Sequence, residues 1–143
     1  MASDSMFADS LFASPDFSAK YTVQNLIGHG GFGSVYQAIQ TSTGQHVAVK
    51  VMRDSVGSDS YELAERFRRE MRLCAKFNHP NIVRLIDSGH EQDSHMFTVF
   101  EFVPGQTLHE FHSDNQRLSV VESADLMLQV LDARVCAHGH GVL

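Results

Sequence analysis

Gly28-His29-Gly30-Gly31-Phe32-Gly33-Ser34-Val35 is the stretch on which the fold turns. Glycines permit backbone angles closed to other residues and let N–H groups come close to phosphate oxygens. The G-x-G-x-x-G pattern is ambiguous alone. In a dinucleotide-binding unit the last glycine opens a helix, and an acidic residue follows about 20 positions on. Here Gly33 runs into residues 34–40, β-branched and aromatic in part, and then the turn Thr41-Ser42-Thr43-Gly44. The nearest acidic candidate, Asp54, follows a lysine-bearing strand instead of ending one. A Walker-type loop needs Gly-Lys-Ser/Thr after the glycines, which this chain lacks. The glycines therefore read as a hairpin, with a ligand-free glycine turn as the plain alternative.

Working outward, residues 21–27 and 45–52 are apolar and β-prone, giving three antiparallel strands with residues 34–40. The third contains Val47-Ala48-Val49-Lys50, one of only three lysines beside Lys20 and Lys76. A charge inside an apolar strand is costly unless paired. A phosphate and a carboxylate within reach would solve that. Beyond the cap candidates Ser58-Asp59-Ser60, Leu63, Phe67, Met71 and Cys74 recur at helical steps. Glu70 lies at the edge of that stripe. Glu62 and Glu65 precede Arg66 and Arg69 by four and read as outward pairs. The basic run Arg66, Arg68, Arg69 and Arg72 reads as a solvated face, or else as a docking face for a phosphorylated segment.

Asn78-His79-Pro80-Asn81 ends this helix. Residues 82–86 and 96–103 read as two more strands around a polar turn, with Asp87-Ser88-Gly89 taken as a β-turn. Pro104-Gly105 breaks the second. Ser119-Val120-Val121-Glu122 is a capping box opening a long helix that carries Ala124, Met127, Leu128, Leu131 and Val135. The order is β-β-β-α-β-β-α-α.

Taken together, these segments resemble the protein-kinase family, specifically the N-terminal lobe of a bacterial-type Ser/Thr kinase. Gly28 to Val35 matches G-x-G-x-x-G-x-V, and Val47-Ala48-Val49-Lys50 matches V-A-I-K. Arg68-Arg69-Glu70-Met71 followed by His79-Pro80-Asn81-Ile82-Val83 looks like the C-helix and the strand after it. Val99-Phe100-Glu101-Phe102-Val103-Pro104-Gly105 looks like the hinge. Residues 72–89 and 99–108 are also similar to the leading kinase module of bacterial kinase/cyclase fusion proteins. The implied fold is α+β: a five-stranded antiparallel sheet plus C-helix, then the first helices of an incomplete, mainly helical C-lobe. The expected organisation is a mobile leader over 1–19, the N-lobe over 20–103 and the start of the C-lobe over 104–143.

The resemblance also implies roles. Gly28, His29, Gly30, Gly31, Phe32, Gly33 and Ser34 would cover the ATP phosphates, and Lys50 would hold them and pair with Glu70. Ile27, Val35, Ala48 and Val83 would wall the adenine, with Phe100 as gatekeeper. The Glu101 carbonyl and the Val103 N–H would bond the adenine edge. Cys74 and Leu85 look like members of the apolar column that links the lobes. Partners would be ATP, magnesium and a protein substrate. The chain contains no His-Arg-Asp and no Asp-Phe-Gly, so the catalytic aspartate and magnesium ligands are missing from it. Three readings stay open: the front of a longer kinase, a non-catalytic nucleotide- or partner-binding module, or a decayed fragment. Arg134 on the stripe of Leu131 and His138, with Gly139 near the helix end, favours decay.

Composition sets the outer limits. The 143 residues are 43% hydrophobic and 20% charged, ordinary globular values. A net charge of -6 argues against a nucleic-acid partner. No run approaches the roughly 18 apolar residues of a membrane span. Cys74 and Cys136 alone make neither a disulfide framework nor a zinc site and suit a reducing cytoplasm. His109 and His112, like His138 and His140, lack the H-E-x-x-H spacing, so no metal site is expected. Residues 1–18 hold three aspartates and no Lys or Arg, with Phe7, Leu11, Phe12 and Phe17 scattered among polar residues. They read as a leader, or alternatively as a segment laying those side chains on the folded body.

Overall fold

A computed structural model describes residues 2–30, 33–52, 60–90, 96–114 and 117–142. The chain opens with α1 (Ala2–Ala13) and α2 (Pro15–Lys20), followed by β1 (Tyr21–Gly30), β2 (Gly33–Gln40) and β3 (His46–Met52). Then come α3 (Ser60–Cys74), β4 (Leu85–His90), β5 (Met96–Glu101), α4 (Leu108–Ser113) and α5 (Val120–Gly139). The strands form one antiparallel sheet in the order β1-β2-β3-β5-β4. This is the expected α+β architecture, with two helices added at its front. Among the described residues, no helix is long and apolar enough to cross a membrane.

The core lies on one face of the sheet. Strand alternation sends Val47, Val49 and Val51 to that face, where they are buried with Ala38, Phe97 and Val99. Its cover comes from the segment expected as a leader. Leu11 and Phe17 are 1% and 2% exposed and belong to the same apolar cluster. Burying each contributes about 1.5–3 kcal/mol. The leader reading over 1–19 therefore gives way to its alternative, because the sheet face needs apolar cover and these side chains supply it. Helix α2 forms for local reasons: the Ser14 side chain accepts from the Phe17 N–H at 3.3 Å, and Pro15 sits in the first turn.

A second correction concerns Asp87-Ser88-Gly89. These residues lie in β4, paired with Val99, Thr98 and Phe97, and do not form a turn. Glycine fits there because any side chain at Gly89 would collide with the Phe97 ring. The polar letters that suggested a turn belong to a strand edge: Asp87 Oδ2 accepts from the Tyr21 hydroxyl at 2.9 Å. Residues 82–84, expected as strand, precede β4.

Helix α3 buries Phe67 and half-buries Met71 and Cys74, as its stripe predicts. The cap candidates Ser58 and Asp59 lie outside the described residues. The capping box Ser119/Glu122 is present at α5, and Thr107/Glu110 form a second one at α4. The apolar stripe of α5 is turned away from the sheet: Met127, Leu128, Leu131 and Val135 are all exposed. The half-buried side chains of α5 are Leu126, Ala133, Cys136 and Ala137. On that helix His79 Nε2 lies 3.1 Å from Asp132 Oδ2, and the Asn81 side-chain amide donates to the Gln129 carbonyl at 3.2 Å. The same His79 ring accepts the Asn81 backbone N–H through Nδ1 at 3.1 Å, so the histidine of the H-P-N turn caps that turn.

Candidate functional site

The face of the sheet opposite the core carries Val35, Ala48, Lys50 and Phe100, whereas Ser34 and Glu101 are cross-strand partners of Val51 and Val47 on the core face. Cross-strand partners share a face, and registers Val35↔Lys50↔Thr98 and Ala48↔Phe100 place these five together. Gly28 joins them as the partner of Val35. Lys50 is half-buried between the buried Val49 and Val51, which point the other way. Ile27, Val83 and Val103, expected as adenine walls, are exposed apolar side chains. Ile27 is the unpaired residue where the β1–β2 register shifts between Leu26 and Gly28. A bulge there bends the strand as it enters the glycine turn.

The glycines of the hairpin divide into two kinds. Gly33 has φ +134, and a side chain on it would run into the backbone of Val51 and Met52. Its glycine is demanded by the chain itself. Gly30 has no positive φ, and a Cβ added there would meet nothing within 4 Å among the described residues. Gly28 has only ordinary contact with Val35, at 3.7 Å. His29 Nδ1 and Ser34 Oγ are 2.9 Å apart and bridge the two strands near the turn. Gly31 and Phe32 lie outside the described residues.

The hinge is fixed to the segment before β4. The Glu101 N–H donates to the Arg84 carbonyl at 3.0 Å, and Glu101 Oε1 accepts the Arg84 N–H at 2.8 Å. On α3, Glu70 is 61% exposed and lies 3.9 Å from Arg66 Nε. Arg68 pairs with Glu65 at 2.6 Å. Both pairings differ from the Glu-to-Arg steps of four read in the sequence, since one step is of three and the other runs from Arg to Glu. Burial, and then the charge of Glu70, pushes the Cys74 thiol up, which suits packing and not reactivity.

The model of the protein kinase domain matches residues 21–143. The chain belongs to the protein kinase family. It is 40% identical over 124 residues to the serine/threonine-protein kinase pkn3 of Myxococcus xanthus, covering 87% of this chain and 22% of that protein. It is 35% identical over 126 residues to the serine/threonine-protein kinase PrkC of Bacillus subtilis, covering 88% and 19%. Among solved structures, the kinase domain of PknI of M. tuberculosis matches with a TM-score of 0.74 at 28% identity. That match covers 87% of this chain and 50% of the solved one. The chain thus spans about a fifth of the curated relatives and half of a solved kinase domain. It is a fragment of a bacterial-type Ser/Thr protein kinase domain.

Two features of this lobe escaped the sequence. Thr98 sits on the lysine face, 2% exposed, and its Oγ1 is buried without a hydrogen-bond partner among the described residues. Its only trace is a hydroxyl in an otherwise apolar run, Met96 to Val99. The Tyr21–Asp87 bond joins residues 66 positions apart. No periodicity announces such a pair.

Proposed function

We propose that this chain is the ATP-binding part of a Ser/Thr protein kinase, the enzyme that moves the γ-phosphoryl group of ATP to protein hydroxyls. The observation that carries the reading is Gly30: neither its backbone angle nor packing among the described residues requires glycine there, so the absent side chain leaves room for a ligand. The residues around it suit a nucleotide. Backbone N–H groups at Gly28, Gly30 and Gly33 bind phosphate oxygens, and Lys50 on the same face holds the α- and β-phosphates. Glu70, held here by Arg66, is the carboxylate that Lys50 would take in the family pattern. Ile27, Val35, Ala48 and Val83 receive the adenine, Phe100 closes the back, and the Glu101 carbonyl and Val103 N–H read its edge. Magnesium, when bound with ATP, neutralises charge developing on the phosphates.

In this reading the chain alone does not transfer phosphate, since none of its residues matches His-Arg-Asp or Asp-Phe-Gly. The exposed stripe of Met127, Leu128, Leu131 and Val135 favours a part of a larger lobe over a self-contained binding module. The reduced cysteines and protein substrates suit a cytoplasmic enzyme.

Calorimetry with ATP tests the reading. Weak binding is expected, since one lobe cannot enclose the nucleotide, and Gly30→Ala or Lys50→Ala should lower affinity about tenfold or more without lowering the melting temperature. No ATP binding in the parent chain, or equal binding in both variants, would sink it. Submicromolar affinity, or acceptor phosphorylation lost in Lys50→Ala, would favour a self-contained unit.

A further inference from the structure

The family match begins at Tyr21, so it assigns nothing to α1 and α2. Their side chains nevertheless trace a continuous path across the outer face of the sheet. The Phe12 ring meets Tyr36 of β2 edge-on, with centroids 4.8 Å apart and planes at 83°. Phe12 also lies 5.4 Å from Phe17. Phe17 meets Phe97 of β5 edge-on at 5.3 Å and 87°, and Tyr21 at 5.3 Å. Tyr21 then reaches Asp87 of β4 through its hydroxyl, and Lys20 Nζ stands 3.6 Å from the same carboxylate oxygen. One short segment thus grips β2, β5 and β4 from outside.

The β2 end of this path is where it touches function. Tyr36 follows Val35 directly and points to the opposite face. Val35 faces Lys50 and Gly28, and the turn glycine Gly33 lies three residues before Tyr36. The outgoing strand of the glycine hairpin is therefore held on its outer side by Phe12 at the level where its inner side meets the candidate nucleotide site. Hairpins with glycine-rich tips lose much conformational freedom when they close on a ligand. A ring already braced against the strand removes part of that cost before the ligand arrives.

We propose that α1 and α2 form a built-in strap that holds the glycine hairpin in place, with Phe12 as the positioning residue for nucleotide binding. The nucleotide part of this statement rests on the reading of the site given above; the stiffening of the hairpin does not.

Amide hydrogen exchange on the nucleotide-free chain separates the two. Phe12→Ala, and the milder Phe12→Leu that keeps an apolar side chain and a folded lobe, should speed exchange at Ser34 to Tyr36 about tenfold. The amides of Val49 and Val99 should exchange as before. Unchanged exchange at the hairpin in both variants would overturn the strap, and so would uniform acceleration at all sites, which marks Phe12 as a stability residue only. ATP affinity is then measured on the same proteins. If the parent binds, Phe12→Leu should weaken binding about fivefold. Equal affinity overturns the positioning role. A parent that does not bind sinks the nucleotide reading, and hairpin exchange alone then decides the strap.

Discussion

The hydroxyl of Tyr21 donates to Asp87 Oδ2 at 2.9 Å, and the two residues belong to the outermost strands on opposite edges of the sheet. A bond between the edges of a five-stranded sheet requires it to curl until β1 approaches β4. Twist supplies the curl, and the phenol–carboxylate pair with Lys20 pins it. Burial, then the hydrogen bond to Asp87 and its negative charge, push the Tyr21 phenol well above its usual range.

Tyr21→Phe removes that bond and strands part of the Asp87 carboxylate. The expected loss is about 1–2 kcal/mol, read as a lower urea midpoint at neutral pH. The pH dependence has a definite sign. A phenol raised in the folded state contributes stability that is complete below its ordinary value of 10.0 and fades as pH rises beyond it. The parent should lose stability above pH 10.0 faster than Tyr21→Phe. Parallel curves in that range would refute the coupling.

Thr98→Val should make the lobe more stable. The hydroxyl is buried and has no hydrogen-bond partner among the described residues, whereas valine has nearly the same shape and no polar group to desolvate. An increase of about 1 kcal/mol in unfolding free energy is expected. A decrease would mean that the hydroxyl has a partner in solution.

Gly33→Ala and Gly30→Ala should separate folding from binding. Alanine at Gly33 must adopt φ +134 and meet the Val51 carbonyl, at a cost of about 2 kcal/mol or more in thermal unfolding. Alanine at Gly30 meets nothing among the described residues and should melt within about 0.5 kcal/mol of the parent. Similar melting for both would contradict the division between the two glycines.

The start of α5 should respond to acid. Hydrogen bonds from the Ser119 backbone, and then from its side chain, hold the Glu122 carboxyl below its ordinary value of 4.5. A lowered carboxyl contributes stability present above that value and lost as pH falls below it. Circular dichroism should show roughly one turn of helix fraying as pH falls below 4.5. Glu122→Gln should already lack the acid-sensitive part. An acid response identical in the variant would assign the change elsewhere.

Much of the lobe was legible before any coordinates. Short β-branched runs identified β1, β2, β3 and β5, and Leu63, Phe67, Met71 and Cys74 identified α3, whereas only Leu85 and Ile86 of β4 fell within the strand expected there. Local rules sufficed because alternation and helical steps act over a few residues. What the sequence hid was non-local. Phe12 and Phe17 look scattered until the sheet they cover exists. Asp87-Ser88-Gly89 has turn letters, yet Tyr21 and Phe97 hold it in a strand. At the site, the registers gather Val35, Ala48, Lys50 and Phe100 on one face, an arrangement set by cross-strand pairing that no single motif spells out. The partner of Glu70 was less readable, since an exposed carboxylate can choose among Arg66 and other cations by small rotamer changes.

The aromatic path from Phe12 to Tyr21 also separates two kinds of boundary. Kinship begins at Tyr21, where the family pattern starts. The packed core reaches earlier, to Leu11 at least, since that side chain belongs to the apolar cluster on the sheet. A protein cut at the border of kinship would keep every signature of its family and leave Val47, Val49 and Phe97 facing water. The limits of shared ancestry and those of a foldable unit thus differ here by α2 and the end of α1 at least, and only the second decides what can be isolated in solution.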